Sequence, residues 1–280
     1  MITIEAQKLA EQFLNSKGYV ESKPNDAPRS IPNVLVIVPC HTGELKDKFV
    51  LSLLNMILFL KEKAINYELR IISGSSQITS VRNFAGNRVC FEKGENGLLF
   101  SHLLMIDSDS SGFEQIVEYL EVAAPIIALP YSYKNRLNWA RIRRAIEAGV
   151  PDDQLQEYLC DPVLEPHGSS VALNALCPVK NIGTGTMLIK SEVFRALAQK
   201  HPGWRYTIPT QNYFGTPNRD YQFNFFQFDV DPVTNKYRSE DYFFVSHARE
   251  AGYETYLCPL RTEHIGSFNF VCNLQAIGQM

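Results

Sequence analysis

Between Asn33 and Tyr131, short strand-like stretches alternate with longer helix-like ones, and this alternation constrains the fold more than any other feature of the chain. NVLVIVPCHTG (33–43) reads as a buried strand ending in a Pro-containing loop, and the lysine-flanked segment 45–63 reads as a helix. YELRIISGSS (67–76) gives a second strand and loop, and ITSVRNFAGNRVCF (78–91) a second helix. The run Leu103–Ile106 is a third strand, FEQIVEYLEVA (113–123) a helix, and PIIALPY (125–131) a further strand. The continuous apolar run of the third suits a strand covered on both faces. The alternation of strands with helices is the signature of a doubly wound parallel sheet. The expected class is therefore α/β, with a mixed, mostly parallel sheet of the nucleotide-binding, Rossmann-like type flanked by helices.

The third strand ends unusually. In HLLMIDSDSSG (102–112) the apolar run gives way to Asp107 and Asp109, with Ser110, Ser111 and Gly112 read as the turn that stops it. Two carboxylates thus stand at the carboxyl end of a strand, the edge where open α/β sheets bind ligands. Such a pair can turn one side chain toward a divalent ion and the other toward a ribose hydroxyl. Oxygen ligands suit Mg²⁺ or Mn²⁺, and these ions usually also bind substrate phosphates. A second D-x-D triplet, Asp229-Val230-Asp231, lies in FDVDPVTNKY. Its Asp-Pro-x-Thr-Asn sequence is turn chemistry, so it reads as the structural tip of a hairpin.

The second half changes character. Residues 132–180 read as rich in loop and helix, and NIGTGTMLIKSEVFRAL (181–197) as a glycine-bearing strand capped by Ser191 into a helix. Aromatics crowd 201–238, where filling a core is a commoner use for them than stacking on a ligand. SEDYFFVSHAREAGYETYLCPL then supplies a helix, a stop at Gly252 and a final strand. The expected organisation is an N-terminal helical segment (1–30), a nucleotide-binding half (31–131), and a second half (132–280) that completes the same compact domain.

Composition removes several classes. The chain has 280 residues, 45% hydrophobic and 20% charged, with net charge −3 and pI near 6.1, so no global basic field would draw nucleic acid. KNRLNWARIRR (134–144) is locally basic and reads as a solvated helix face before a polyanion site. Six cysteines without a C-x-x-C pairing read as reduced thiols. No secretion signal is visible, and the most apolar helix candidate, FVLSLLNMILFL (49–60), is too short to span a bilayer. A cytoplasmic protein is expected. P-loop, G-x-G-x-x-G, G-x-S-x-G and H-E-x-x-H patterns are all missing, which argues against dinucleotide, serine-hydrolase and zinc-protease chemistry.

What remains is a metal-and-acid site, and here five motifs in series resemble the A-type nucleotide-sugar glycosyltransferases, especially family-2-like members. The motifs are VLVIVPCHTG, SVRNFAGNRV with the strand into DSDSSG, IGTGTMLIKSEVF, SEDYFFVSHAREAGYETYLCP, and EHIG, covering residues 33–266. The resemblance implies an A-type glycosyltransferase fold, a nucleotide-diphosphate sugar donor, a hydroxyl acceptor, and Mn²⁺ or Mg²⁺. It places Pro39 and His41 along the nucleoside, Ser73 near the base, and Arg82 with Asn83 near base or phosphate. Ser108 and Gly183 join these as substrate contacts. Asp107 would meet ribose or metal, Asp109 would ligate the metal, and His264 would be a third ligand. Asp241, beside Glu240, sits where inverting relatives keep a general base, although Ser239-Glu240-Asp241 is also a good helix start. Cys40-His41 departs from the polar residue usual after the first-strand proline. Two other readings stand beside this one: a sugar-phosphate nucleotidyltransferase, which would want a glycine- and lysine-rich loop after the first strand, and a catalytically silent nucleotide-sugar-binding module.

Overall fold

The computed structural model describes residues 31–168, 175–207, 220–266 and 269–278. The helical segment expected at 1–30 and part of the aromatic tract, 208–219, lie outside the described residues. The chain enters through β1 (Asn33–Cys40), α1 (Asp47–Glu62), β2 (Asn66–Ser73), α2 (Ile78–Phe91) and β3 (His102–Ile106). The short β4 (Ser110–Ser111) and a 3-10 turn at Glu114–Tyr119 lead to β5 (Ile126–Ala128). Next come β6 (Ser132–Leu137), α3 (Trp139–Glu147), β7 (Cys160–Pro162), β8 (Leu164–Pro166), β9 (Cys177–Ile182) and β10 (Thr186–Lys190). Then follow α4 (Ser191–Lys200), β11 (Arg205–Thr207), β12 (Tyr221–Phe223), and a hairpin of β13 (Asp229–Val230) and β14 (Tyr237–Arg238). The chain closes with α5 (Glu240–Glu250), β15 (Thr255–Leu257), β16 (Thr262–Ile265), β17 (Asn269–Cys272) and α6 (Leu274–Gly278).

Among the described residues the main sheet has eight strands, in the order β2-β1-β3-β10-β5-β15-β9-β8. Strands β2, β1, β3, β5, β15 and β8 run one way, and β10 and β9 run against them. The α/β class and its mixed, mostly parallel sheet are thus present. Both halves of the chain contribute strands to it. Side chains of β1 and β3 alternate between two cores. Leu35, Ile37, Leu103 and Met105 pack with Val81 and Phe84 of α2, Phe194 of α4 and Phe244 of α5. Val34, Val36, Val38, Leu104 and Ile106 pack on Phe49, Leu53 and Met56 of α1 and on Ile116 and Val117. Burying each such side chain contributes about 1.5–3 kcal/mol, which explains why these strands carry no polar face.

Several local expectations are corrected. Pro39 lies inside β1 rather than in the loop; it follows Ile37, where pairing with β3 ends, so a residue without an N–H is tolerated. Ser110 and Ser111 are not a turn but the strand β4, because β16 arrives to pair with them from far along the chain. The helix expected at 113–123 is only the 3-10 turn Glu114–Tyr119: its Ile116 and Val117, and Leu120 and Val122 just after it, all reach the core before Pro125 ends the segment. Among the described residues, 132–180 hold four short strands, whose partners are distant in sequence. Neither Ser191 nor Ser239 caps its helix through its side chain: Ser191 is the first helical residue and accepts from Arg195, and Ser239 donates to Asp241. Strand β15 is not the last, since β16 and β17 follow. In the basic segment, Arg141 is buried against Asp161 and the Tyr158 and Cys160 carbonyls. The six cysteines are all unbridged. Among the described residues no helix is long and apolar enough to cross a membrane.

Candidate functional site

Because β1, β2 and β3 are parallel and in register, their carboxyl ends open on one edge of the sheet. A hollow of about 210 Å³ lies there, walled by Pro39 and His41 after β1, Ser75 and Ser76 after β2, Ile78 and Val81 of α2, and Asp107, Ser108 and Asp109 after β3. The D-x-D backbone is clamped from both sides. Asp107 N–H donates to the Gly185 carbonyl (2.8 Å), and Ile265 N–H donates to the Asp109 carbonyl (2.6 Å). This second bond belongs to the pairing of β16 with β4, which sets His264 opposite Ser110.

Arg82 is not a surface helix charge. It is 4% exposed, with one terminal nitrogen on Glu240 (2.6 Å) and the other on both Asp107 oxygens (3.1 and 3.3 Å). One guanidinium thus bridges the end of β3 to the start of α5. Burial pushes the Asp107 carboxyl up to about 6, against the pull of Arg82 and with the push of Asp109. Burial likewise raises Glu240, with Arg82 opposing and Asp241 adding to it.

Asp109 behaves oppositely. Burial would raise it, but hydrogen bonds from His264 and Lys134 outweigh that and hold it at about 2. Both partners meet the same oxygen, Oδ2: His264 Nε2 at 3.1 Å and Lys134 Nζ at 2.5 Å. His264 Nδ1 donates to the Ser132 carbonyl (2.7 Å), because a carbonyl can only accept. A carboxylate only accepts as well, so the contact with Asp109 is a hydrogen bond when Nε2 also carries a proton; without it, Nε2 presents a lone pair to which the Tyr131 hydroxyl, 2.9 Å away, can donate. Metal-ligating histidines are oriented in the same way, by a backbone carbonyl on the other ring nitrogen. The Tyr131 ring lies 4.1 Å from the His264 ring, centroid to centroid. It fits only because the GTG loop lacks side chains there: a Cβ on Gly185 would come within 2.0 Å of it, and one on Gly183 within 3.3 Å.

Asp241 stands at the first turn of α5. Its Oδ1 accepts from Ser239 Oγ and from the Tyr242 N–H (2.8 Å), and its Oδ2 lies beside Gly183, 3.5 Å from where a Cβ would be. Around the site, the four carboxylates Asp107, Asp109, Glu240 and Asp241 face two cations, Arg82 and Lys134. With all four ionised and His264 neutral, as a metal-ligating imidazole must be, two negative charges stay uncompensated within this group, which matches one divalent ion. Two carboxylates and an imidazole are also donors of the right kind for Mn²⁺ or Mg²⁺. Among the described residues, however, no three His, Cys, Asp or Glu side chains already form a cage for a metal ion. The set therefore fits the ion in chemistry and charge, with Asp109 and His264 as the two donors that already meet.

The other expected residues are spread around this centre. Ser73 ends β2 just before the wall residues Ser75 and Ser76. Asn83 is committed to structure: its amide donates to Asn224 (2.6 Å) and the Phe226 carbonyl (3.0 Å) and accepts from the Phe226 N–H (2.7 Å). Asn87, one turn later, holds Phe223 in the same way, so α2 binds the aromatic tract by its backbone. Phe223, Phe225 and Phe226 are buried core, the commoner use expected of these aromatics. Sequence reasoning missed Tyr131 and Lys134. Tyr131 follows the carboxyl end of β5, so the strand-end rule that found Asp107 could have found it. Lys134 was hidden within a basic run.

No family model and no curated protein matches the chain. A solved structure of a Drosophila beta-1,4-galactosyltransferase 7 mutant, in complex with manganese, UDP-Gal and xylobiose, is similar over 81% of this chain and 65% of that one. The TM-score is 0.36 and the identity 12%, and this chain spans just under two thirds of that protein's length.

Proposed function

We propose that the protein is a metal-dependent glycosyltransferase that moves a sugar from a nucleotide-diphosphate donor to a hydroxyl acceptor. The observation that carries this reading is the meeting of the strand-end acids with His264 and the α5 acids around one sheet edge. Asp107, Asp109 and His264 would hold Mn²⁺ or Mg²⁺, which supplies Lewis-acid stabilisation of the charge developing on the departing diphosphate. Pro39, His41, Ser73 and Ser108 line or border the donor's nucleoside side. Residues 31–131 thus bring the donor, and residues 132–280 bring the acceptor and the base.

Arg82 fixes Asp107 and Glu240 relative to each other through charge-assisted bonds, so donor and acceptor sides move as one. Asp241 is the general base of an inverting transfer. Ser239 and the Tyr242 N–H occupy its Oδ1, and the proton of the acceptor hydroxyl goes to Oδ2, beside the Gly183 loop. Glu240, held by Arg82, orients rather than reacts.

Calorimetric titration of a panel of nucleotide sugars with Mn²⁺, followed by a hydrolysis assay, identifies the donor and separates an enzyme from a silent binder. Pyrophosphate released from a nucleoside triphosphate and a sugar phosphate would instead reveal a nucleotidyltransferase. Activity that survives complete chelation of divalent ions would contradict the proposal.

A further inference from the structure

The contact that the glycosyl-transfer reading does not use is the one between Lys134 and Asp109. Lys134 Nζ and His264 Nε2 converge on the same carboxylate oxygen, so an ion ligated through Asp109 Oδ2 and His264 must contend with an ammonium 2.5 Å from that oxygen. The approach of Lys134 is built into the fold. Its stem runs past Gly266 of the EHIG motif, where a Cβ would stand 3.3 Å from Lys134 Cδ and 2.9 Å from the Phe270 ring. Lys134 itself projects from β6, the strand that also supplies the Ser132 carbonyl that orients His264. Both side chains of the pair are about a third exposed, 35% and 36%, so water screens the bond and it can be exchanged for another ion pair.

We infer that Lys134 is a positioning residue that competes with the divalent ion for Asp109, so that the site binds a bare ion weakly and takes it up well only together with a diphosphate. This rests on the proposed reading and adds to it a coupling between the two ligands. An incoming ion displaces the ammonium from Asp109 at the cost of cation–cation repulsion. A diphosphate bound in the adjoining hollow offers the released ammonium new anionic oxygens, which lowers that cost. Ion and diphosphate therefore favour each other's binding, and the coupling is reciprocal.

The test is the affinity for Mn²⁺, read by electron paramagnetic resonance with free Mn²⁺ held constant, on wild type, Lys134→Met, Lys134→Arg, Asp109→Asn and the double variant Lys134→Met/Asp109→Asn. Lys134→Met should bind Mn²⁺ alone about tenfold more tightly than wild type, Lys134→Arg should stay near wild type, and the gain should vanish with Asp109→Asn. Adding UDP, GDP, ADP and CDP in turn, at least one should tighten Mn²⁺ about tenfold in wild type and by much less in Lys134→Met. A lysine that only braced the loop would not yield tighter metal binding when removed. Unchanged Mn²⁺ affinity in Lys134→Met, with wild type binding the ion through Asp109, overturns the inference and leaves the glycosyltransferase reading standing. Failure of every form to bind Mn²⁺, with or without a diphosphate, overturns both.

Discussion

The chain carries two D-x-D triplets, and the same three-residue pattern ends in different physics. In Asp229-Val230-Asp231 the partners are local. Asp231 Oδ1 accepts from the Val233 and Thr234 N–H groups (3.0 and 2.7 Å), while Arg238 binds Asp229 (2.8 Å at Nε) and lies 3.3 Å from Asp231. The turn satisfies its own acids. In Asp107-Ser108-Asp109 the partners come from α2, β6 and β16; burial raises Asp107 to about 6, while hydrogen bonds from His264 and Lys134 hold Asp109 at about 2 against its own burial. One pair of carboxylates is satisfied by its own turn, whereas the other is held by cations from distant parts of the chain.

The largest contrast should appear between asparagine substitutions in the two triplets. Asp109→Asn should lower metal-dependent sugar transfer and nucleotide-sugar hydrolysis by more than about a hundredfold, with an unchanged circular dichroism spectrum. A variant retaining most of its activity would remove Asp109 from the chemistry.

Packing behind the first triplet gives the next effect. Gly185→Ala drives a methyl into the Tyr131 ring that supports His264, and should cost about 2–3 kcal/mol in denaturant unfolding. Gly203→Ala, where a Cβ meets nothing within 4 Å among the described residues, should stay within about 0.5 kcal/mol. Equal costs for the two would mean that the GTG loop yields freely.

A third effect lies at the opposite end of β3. His102 is buried beside Lys190, and burial first, then that charge, push its imidazole down from 6.5 to about 4. In the unfolded chain the ring takes a proton below 6.5, but in the fold only near 4, so stability is full above 6.5 and falls as pH drops through that window. The loss should be of order 2 kcal/mol by pH 4.5, measured by urea unfolding, and His102→Gln should flatten that part of the profile. If wild type and His102→Gln change in parallel between pH 7 and 4.5, His102 is not the source.

The smallest effect closes the comparison. Asp231→Asn should leave transfer within about twofold of wild type and shift only thermal melting, slightly downward, because its bonds serve the hairpin alone. A large loss of activity would give the second triplet a role in the site after all.

Local pattern was enough for much of the fold. Apolar runs located β1, β3 and β5, β2 appears within the stretch read as a strand, and the helix over 78–91 appears with the boundaries read for it. The same reasoning placed one triplet after a buried strand and the other at a hairpin, because turn chemistry and strand ends are written within a few residues. It failed at 113–123, where burial on several sides overrode helical periodicity, and across 132–180, where strands of three to six residues exist only through their partners.

The sequence by itself determined that two acids end a buried strand at the binding edge of an α/β sheet, since hydrophobic periodicity and strand polarity require nothing beyond the neighbouring residues. Only the tertiary structure decided which cations those acids meet. Arg82 and Asp107 are 25 positions apart, as are Asp109 and Lys134, and His264 is 155 positions from Asp109. The charge balance of the site is therefore a property of chain crossings, and no local spacing encodes it.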